Sequence, residues 1–459
     1  MLPWLARQVI CPLHERLLRR TTFAQLRSLE ATQWYAPREI RMLQRRKLGA
    51  LLVHAGSHSG FYRRRFAEAG VDAGDRCPFE MLARLPLLDK CTIRRHVAAM
   101  LWHDAPGGLH ACSTGGSTGA PLRFFTDRAR QACDQAARAR THRWFGVDVG
   151  DRELYLWGSP IELGRSDRLK RARDRLFNHR LLSAFAMSPE HMDGYLDALE
   201  RFRPSCLFGY PSSVAMLVAH ARQRGRRLRL RGLRAVFVTG EVCYAHDRDA
   251  IASYFGVPVA DGYGSREAGF IAHECAEGNM HIMAEHVVVE IMRRGRPVPP
   301  GEPGEIVVTH LGAHGMPLIR YRTGDMGRLK PGRCPCGRGL PMMDVVEGRT
   351  TDYLYFPDGT ARHALSVIYA LRDVAGVGRF RVTQGADYGV TVEVVPDRHA
   401  GRVVRQAVSR RVRDVLGSDV ALRVWLVDEL RVSGSGKYRH VVSHAHAPGE
   451  TGGDRDVSV

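Results

Sequence analysis

The stretch CSTGGSTGAPLRFF, residues 112–125, decides how the rest of the chain is read. Small residues run up to Gly119, Ala120-Pro121 follow, and then an apolar strand begins. Glycines let backbone N–H groups turn inward into an anion-holding nest, and serine and threonine hydroxyls add donors. That chemistry suits the β- and γ-phosphates of a nucleotide. It is not a Walker A loop, which needs Gly-Lys-Ser/Thr where this chain has Gly119-Ala120-Pro121. Alone, the segment fits a flexible linker equally well.

Around this loop the texture predicts an α/β core. Short apolar runs alternate with helical segments and Gly-rich turns in ELYLWGS (153–159), CLFGYPSS (206–213), LRAVFVTGE (233–241) and VPVADGYGS (257–265). Upstream, residues 1–100 read as helices, with 37–55 the clearest amphipathic stretch. Downstream, 286–330 is strand-rich, including MPLIRYRT (316–323), and a small α+β unit starts near Gly348. After His444 the chain is polar and Gly-rich, the composition of a disordered tail.

Three further segments carry chemistry. DGYGSREAG (261–269) joins an aromatic, a tight Gly turn and what reads as an exposed carboxylate, Glu267, able to stack a base and hold a metal. Its plain alternative is a strand-to-helix turn capped by Ser265 or Glu267. YRTGDMGRL (321–329) reads as a strand ending in a Gly-Asp turn, where Asp325 offers two oxygens to a ribose; otherwise it is merely a hairpin turn. In LRVSGSGKYRHVV (430–442), Lys437 sits in a Gly/Ser turn, and only Lys47, Lys90, Lys170, Lys330 and Lys437 are lysine among 68 basic residues. An ammonium is a compact charge that reaches between a carboxylate and a phosphate, unlike the guanidinium fork.

In this order the segments resemble the adenylate-forming superfamily of acyl-CoA synthetases, luciferases and peptide-synthetase adenylation domains. The likeness is greatest to its phenylacetate-CoA ligase-like branch, which includes capsule-biosynthesis CapK-like proteins. STGGSTGAP resembles the family's phosphate loop, VTGE (238–241) and YGSRE (263–267) its adenine and metal segment, and YRTGD (321–325) its ribose aspartate. EGRTTDYL (347–354) resembles the interdomain hinge and SGSGKYR (433–439) the lysine motif; the resemblance spans about 80–442. It implies a large adenylate-forming domain of layered α/β sheets over 1–348, a small mobile α+β lid over 349–445, and a tail over 446–459.

The resemblance also implies roles. Ser113, Thr114, Gly115, Gly116, Ser117, Thr118 and Gly119 cradle the ATP phosphates, and Gly240, Glu241, Tyr263, Gly264 and Ser265 surround the adenine. Glu267 helps hold Mg²⁺, Asp325 and Arg349 fix the ribose, and Lys437 bridges the substrate carboxylate and the α-phosphate. Three positions depart from the pattern: Ala120 replaces a common lysine, Arg266 a threonine, and Thr350-Thr351 an acidic hinge residue. The carboxylic acid is not readable, although its pocket is expected near Trp157 and Tyr210.

Cys334-Pro-Cys336-Gly is a soft-ligand clip, and Cys275 and His281 supply two more ligands for a tetrahedral structural Zn²⁺. His273 and His286 compete for the fourth place, and reduced loop thiols are the plain alternative. Other cysteines, such as Cys206 and Cys243, have apolar neighbours and read as buried thiols.

The formal charge of +20 is spread along the chain without a nucleic-acid module, so no nucleic-acid partner is expected. No apolar run is long enough to span a bilayer, and the N-terminus lacks a secretory pattern. A surface-lying amphipathic helix is open there, but an ordinary packed helix is favoured. The expectation is a cytoplasmic ligase using ATP, Mg²⁺ and a carboxylic acid, with coenzyme A as acceptor; a homodimer is left open. Transfer to an amine, hydroxyl or carrier-protein thiol is the enzymatic alternative, and a non-catalytic basic nucleotide- or nucleic-acid-binding protein the other.

Overall fold

The computed structural model describes residues 2–72, 74, 77–113, 122–157, 173–184, 187, 189–349, 353–358, 361–363, 367, 370–371, 374–396, 402–430 and 441–445. Thr114–Gly119, Lys437 and the tail 446–459 lie outside these residues, as does the Arg349 side chain. The chain forms two compact units, Met1–Val346 and Glu347–Val459.

The first unit opens with helices, as the sequence predicts. The longest, Pro37–His58, begins where proline is tolerated and where Glu39 turns back to accept the Ala36 N–H (2.7 Å). It buries Ile40, Leu48, Leu51, Leu52 and Ala55 at helical spacing against the sheet. Asp89 and Asp127 cap the helices Lys90–Met100 and Arg128–Arg143 by accepting the Thr92 and Arg130 N–H groups, each at 2.7 Å.

A hairpin of β1 (His110–Ser113) and β2 (Arg123–Thr126) flanks the phosphate-loop sequence. Beyond it come β3 (Glu153–Trp157), β4 (His179–Ser183), β5 (Cys206–Gly209), β6 (Ala235–Thr239), β7 (Val259–Ser265) and β8 (Gly269–Glu274). They are followed by β9 (Met280–Ile282), β10 (Val287–Arg293), β11 (Arg296–Pro297), β12 (Gly304–His310), β13 (Tyr321–Lys330) and β14 (Met342–Arg349). One 12-stranded sheet results, ordered β11-β10-β12-β13-β14-β9-β8-β7-β6-β5-β3-β4. Strands β3 to β7 pair in parallel, while β7–β8 and β8–β9 are antiparallel. The direction therefore changes at β7, next to the carboxyl ends of the parallel strands, where ligands of α/β sheets bind.

Two local expectations fail. After β7 comes no helix: DGYGSREAG folds as the β7–β8 hairpin, and Ser265 Oγ accepts the Ala268 N–H across the turn (2.9 Å). Nor does YRTGD end in a turn. Strand β13 runs on through it, because Gly324 at φ +78° absorbs extra residues as a bulge opposite Ile306. The strand read into MPLIRYRT begins only at Tyr321.

In the second unit, β17 (Val377–Gln384) and β18 (Val390–Pro396) pair antiparallel, following the small hairpin β15 (Tyr353–Tyr355) and β16 (Ala361–His363). Strands β19 (Leu422–Leu426) and β20 (Val441–Ser443) add in parallel outside them. Helix Arg402–Leu416 places Val404, Val408, Val412 and Leu416 in this unit's core at four-residue spacing.

Candidate nucleotide site and cysteine–histidine cluster

The ends of β6 and β7 collect the motif residues of the first unit. Thr239 Oγ1 donates to the Gly262 carbonyl (2.5 Å), tying the ends of the two strands together. Gly240 follows at φ +83°, and a Cβ there would stand 3.2 Å from the Tyr210 ring. Tyr210 stacks on Trp157, with centroids 4.0 Å apart at 17°. An aromatic wall thus stands beside the Gly240 turn, where the sequence places the acid pocket. Glu241 Oε2 accepts from Ser212 Oγ at 2.5 Å, which holds the carboxylate toward the start of helix Pro211–Gln223.

The β7–β8 hairpin links the remaining motifs. The Tyr263 hydroxyl donates to Asp325 Oδ2 at 2.9 Å. Asp325 is aimed by its position after the β13 bulge, where its N–H donates to Thr323 Oγ1 (3.1 Å) and Thr323 in turn donates to the Ile306 carbonyl (2.9 Å). At the hairpin tip Arg266 Nη1 donates to the Ser113 carbonyl at 3.2 Å, joining the YGSRE segment to the start of the STGGSTGAP stretch. The Arg266 carbonyl accepts from Arg130 Nη2 (2.7 Å). The substitution that departs from the family pattern is therefore a structural tie at this position.

Glu267 is not exposed, as the sequence reading has it, but 5 % accessible. Its Oε1 accepts from the Tyr321 hydroxyl at 2.9 Å, and the Lys90 ammonium stands 3.7 Å from the same oxygen. Leu88 pairs in parallel with Tyr321, which brings the start of helix Lys90–Met100 to the carboxylate. Sequence reasoning missed Lys90, Tyr321 and Ser212. For Lys90 the signal was present: it is one of five lysines among 68 basic residues.

Cys275, His281, Cys334 and Cys336 come together, each with a ligand atom within 4.8 Å of the others. The Sγ atoms of Cys275 and Cys334 are 3.6 Å apart, and Cys336 Sγ is 3.3 Å from His281 Nε2. Ligand edges of a tetrahedral zinc site are about 3.5–3.8 Å for bonds of about 2.0–2.3 Å, so the donors fit that ion in kind and spacing. Leu340 O lies 3.2 Å from His281 Nδ1, which fixes the ring with Nε2 inward. Neither competing histidine joins this group: His273 Nδ1 meets the Glu274 carbonyl (2.7 Å), and among the described residues neither ring nitrogen of His286 has a hydrogen-bond partner. Burial pushes the Cys275 thiol up to about 12. Cys336 is also partly buried, but hydrogen bonds from Arg338 outweigh that and hold its thiol below the ordinary value.

A second group, His142, Glu153 and Cys206, lies in the core. Here Arg138 already pairs with the carboxylate donor, contacting Glu153 Oε2 at 2.6 Å and the Tyr155 hydroxyl at 2.7 Å. A resident guanidinium makes this an internal ion pair and not a cation site.

Comparison with known proteins bears on the fold and the chemistry of the chain. Residues 182–315 match the family described as AMP-binding enzyme. The chain is 26% identical to a phenylacetate-coenzyme A ligase of Thermus thermophilus, over 88% of this chain and 97% of that protein. It is 28% identical to the phenylacetate-coenzyme A ligase of Escherichia coli over 69% and 72% of the two chains. Protein CapK of Staphylococcus aureus is 24% identical over 63% of each. In fold the chain resembles a 2-hydroxyisobutyryl-CoA ligase crystallised in a postadenylation state, with a TM-score of 0.71, 24% identity, and 87% and 88% of the chains covered. These similarities match the adenylate-forming, phenylacetate-CoA ligase-like reading that the motifs give. Among the described residues no helix is long and apolar enough to cross a membrane.

Proposed function

We propose that this adenylate-forming chain joins a carboxylic acid to the AMP moiety of ATP, releasing pyrophosphate, and passes the acyl group to coenzyme A. The observation that carries the reading is the β7–β8 hairpin, one element that touches both Ser113 of the phosphate loop and, through Tyr263, the ribose aspartate Asp325. Three motifs distant in sequence thus converge beside the carboxyl end of β7, and α/β sheets bind ligands outside the carboxyl ends of their strands.

A carboxylate is a weak nucleophile and is repelled by the phosphate it attacks. Mg²⁺ would supply charge neutralisation at the phosphates, and the buried Glu267 carboxylate offers it a hard oxygen ligand. Asp325 would take the ribose hydroxyls, with the Tyr263 hydrogen bond fixing its orientation. Arg349 is assigned to the ribose and Lys437 to the carboxylate and α-phosphate on the motifs alone. In the same reading, residues from Glu347 onward act as a lid that exchanges the adenylating pose for one admitting the acceptor. The Trp157–Tyr210 wall faces the acid, and the substrates that name the relatives supply only the acceptor, coenzyme A. A structural zinc ion at Cys275, His281, Cys334 and Cys336 would fill all four coordination places, which leaves it no catalytic position. Use of ATP and coenzyme A assigns the protein to the cytoplasm.

The test is pyrophosphate–ATP exchange across a panel of carboxylic acids, followed by AMP release with coenzyme A, an amine or a hydroxyl compound as acceptor. Exchange that depends on an acid, with turnover stimulated by coenzyme A, is expected. Exchange with no acid dependence rejects adenylation, and stimulation by an amine alone reassigns the acceptor.

A further inference from the structure

The first helical segment is built with its apolar side outward. It runs from Pro3 to Leu17 through a π-helical stretch, Ala6–Ile10, and faces the protein with Ala6, Cys11 and Glu15. Polar contacts fix it there: Arg7 donates to the Val149 carbonyl (3.0 Å) and pairs with Asp151 (3.0 Å). Gly150 passes so close that a Cβ would stand 2.8 Å from the Arg7 nitrogen. On the opposite side Leu2, Trp4, Val9, Leu13 and Leu17 are 73, 66, 46, 55 and 74 % exposed. A helix folded only for packing turns such residues inward. The sequence expectation of an ordinary packed helix therefore accounts for the inner side alone.

The acidic groups near this face are already engaged: Asp148 and Asp151 pair with Arg7, and Asp174 with Arg173 at 2.8 Å. Glu15 is the only acidic residue before Glu30, and it is engaged by Arg20 at 2.5 Å. Arg16, Arg19 and Arg27 are exposed, and no carboxylate pairs with them among the described residues. The Phe177 ring packs edge-on against His14 at 4.8 Å, which brings a second segment alongside. That segment adds Leu176 and Leu181, 46 and 43 % exposed, and the guanidinium groups of Arg175 and Arg180. Burial lowers the Arg180 pKa, and Arg201 and Arg175 lower it further.

We propose that this face docks on an anionic lipid bilayer. Leu2, Trp4, Val9, Leu13 and Leu17 would enter the boundary between headgroups and acyl chains, with Leu176 and Leu181 beside them. Arg16, Arg19, Arg27, Arg175 and Arg180 lie at the level of the lipid phosphates, an arrangement characteristic of helices that lie in the interface plane. Charge selects this partner over the others. Two copies of the chain meeting through this face would press like-charged arginines together, which disfavours a dimer there. A nucleic acid would satisfy the arginines but leave the leucines in water. The surface is separate from the candidate nucleotide site, so the proposal stands apart from the adenylation reading.

The test is co-sedimentation of the full chain with vesicles of phosphatidylcholine, and with vesicles in which about a third of the lipid is phosphatidylglycerol. Binding to the anionic vesicles is expected, at least about 10-fold weaker to the neutral ones. Leu13→Asn with Leu17→Asn, both exposed and so neutral for folding, removes binding and leaves acid-dependent pyrophosphate exchange unchanged. Arg16→Gln with Arg175→Gln lowers affinity for anionic vesicles only. Absence of binding to either vesicle, or equal binding by the leucine variant, overturns the proposal. So does a wild-type dimer in sedimentation velocity that the leucine variant loses, which reassigns the face to a second copy.

Discussion

Lys90 and Tyr321 both point at one oxygen of Glu267, the ammonium from 3.7 Å and the hydroxyl from 2.9 Å. In the proposed role Mg²⁺ claims the same carboxylate, so ammonium and metal compete for it. A half-buried pair of this kind contributes up to about 1 kcal/mol, or roughly a factor of five. Lys90→Met should then lower the Mg²⁺ concentration giving half-maximal pyrophosphate exchange by up to about fivefold. Glu267→Gln should raise it and slow exchange by about 10²-fold or more. Titrating exchange activity with Mg²⁺ in the two variants checks both directions; a Lys90→Met curve superimposed on wild type rejects the competition.

Tyr263 and Asp325 give a separable prediction for nucleotide affinity. A hydrogen bond to a carboxylate contributes about 1.5–3 kcal/mol, and some of that is regained when water replaces the tyrosine hydroxyl. Tyr263→Phe should raise the KM for ATP about three- to tenfold with kcat little changed. Asp325→Ala should raise it by about 10²-fold, because in the proposed role two ribose hydroxyls lose their acceptor. In the double variant the tyrosine effect should vanish, since its partner is already gone. Additive losses would mean that Tyr263 acts on the nucleotide independently of Asp325.

How much of this site the sequence discloses depends on how local each relation is. The motifs announce the nucleotide chemistry because glycine, tyrosine and aspartate are constrained within a few residues of chain. The cysteine–histidine set is also legible, since Cys334-Pro-Cys336 restricts its own geometry; only the choice among His273, His281 and His286 needs the fold. Pairing is what stays hidden. Whether DGYGSREAG turns into a helix or a hairpin depends on β8 finding β7, and YRTGD extends because β12 tolerates a bulge. Lys90 reaches Glu267 only through the Leu88–Tyr321 bridge, a contact between remote segments that no local pattern encodes. The outward face of the first helix is hidden for the same reason, because amphipathic spacing does not say which side meets the protein.

The cysteine–histidine cluster predicts stoichiometric zinc. Protein purified without added metal should hold about one zinc ion per chain by elemental analysis. Cys334→Ser with Cys336→Ser should abolish it and lower the melting temperature by several degrees, on the order of a 2–4 kcal/mol loss. Because no coordination place is left for substrate, the variant protein that remains folded should keep most of its kcat at low temperature. Absence of zinc in the wild type, or its retention by the double variant, would remove the site.

Acid sensitivity should originate in the core near Arg138. His142 stacks on Phe237 at 4.0 Å, and burial, reinforced by the Arg138 guanidinium, pushes its pKa well below the ordinary histidine value. Glu153 is opposed by burial, but the Arg138 guanidinium, helped by the Tyr155 hydroxyl's hydrogen bond, holds its carboxyl down at about 2. The signs follow from which state binds the proton. As pH falls below about 6.5 the unfolded His142 gains a proton that the folded one refuses, so stability drops by about 1.4 kcal/mol per pH unit for that group. Glu153 behaves differently: its contribution is complete above about 4.5 and disappears only as pH falls through its depressed value. Denaturant unfolding between about pH 7 and about pH 5 therefore reports on histidine and not on this carboxylate. Burial also lowers His179, His273 and His286, so the wild-type slope should exceed one proton. His142→Gln should reduce that slope by one proton's worth while retaining a polar group beside Glu153. An unchanged slope would show that His142 already carries its proton in the folded protein, and that the Arg138–Glu153 pair does not exclude it.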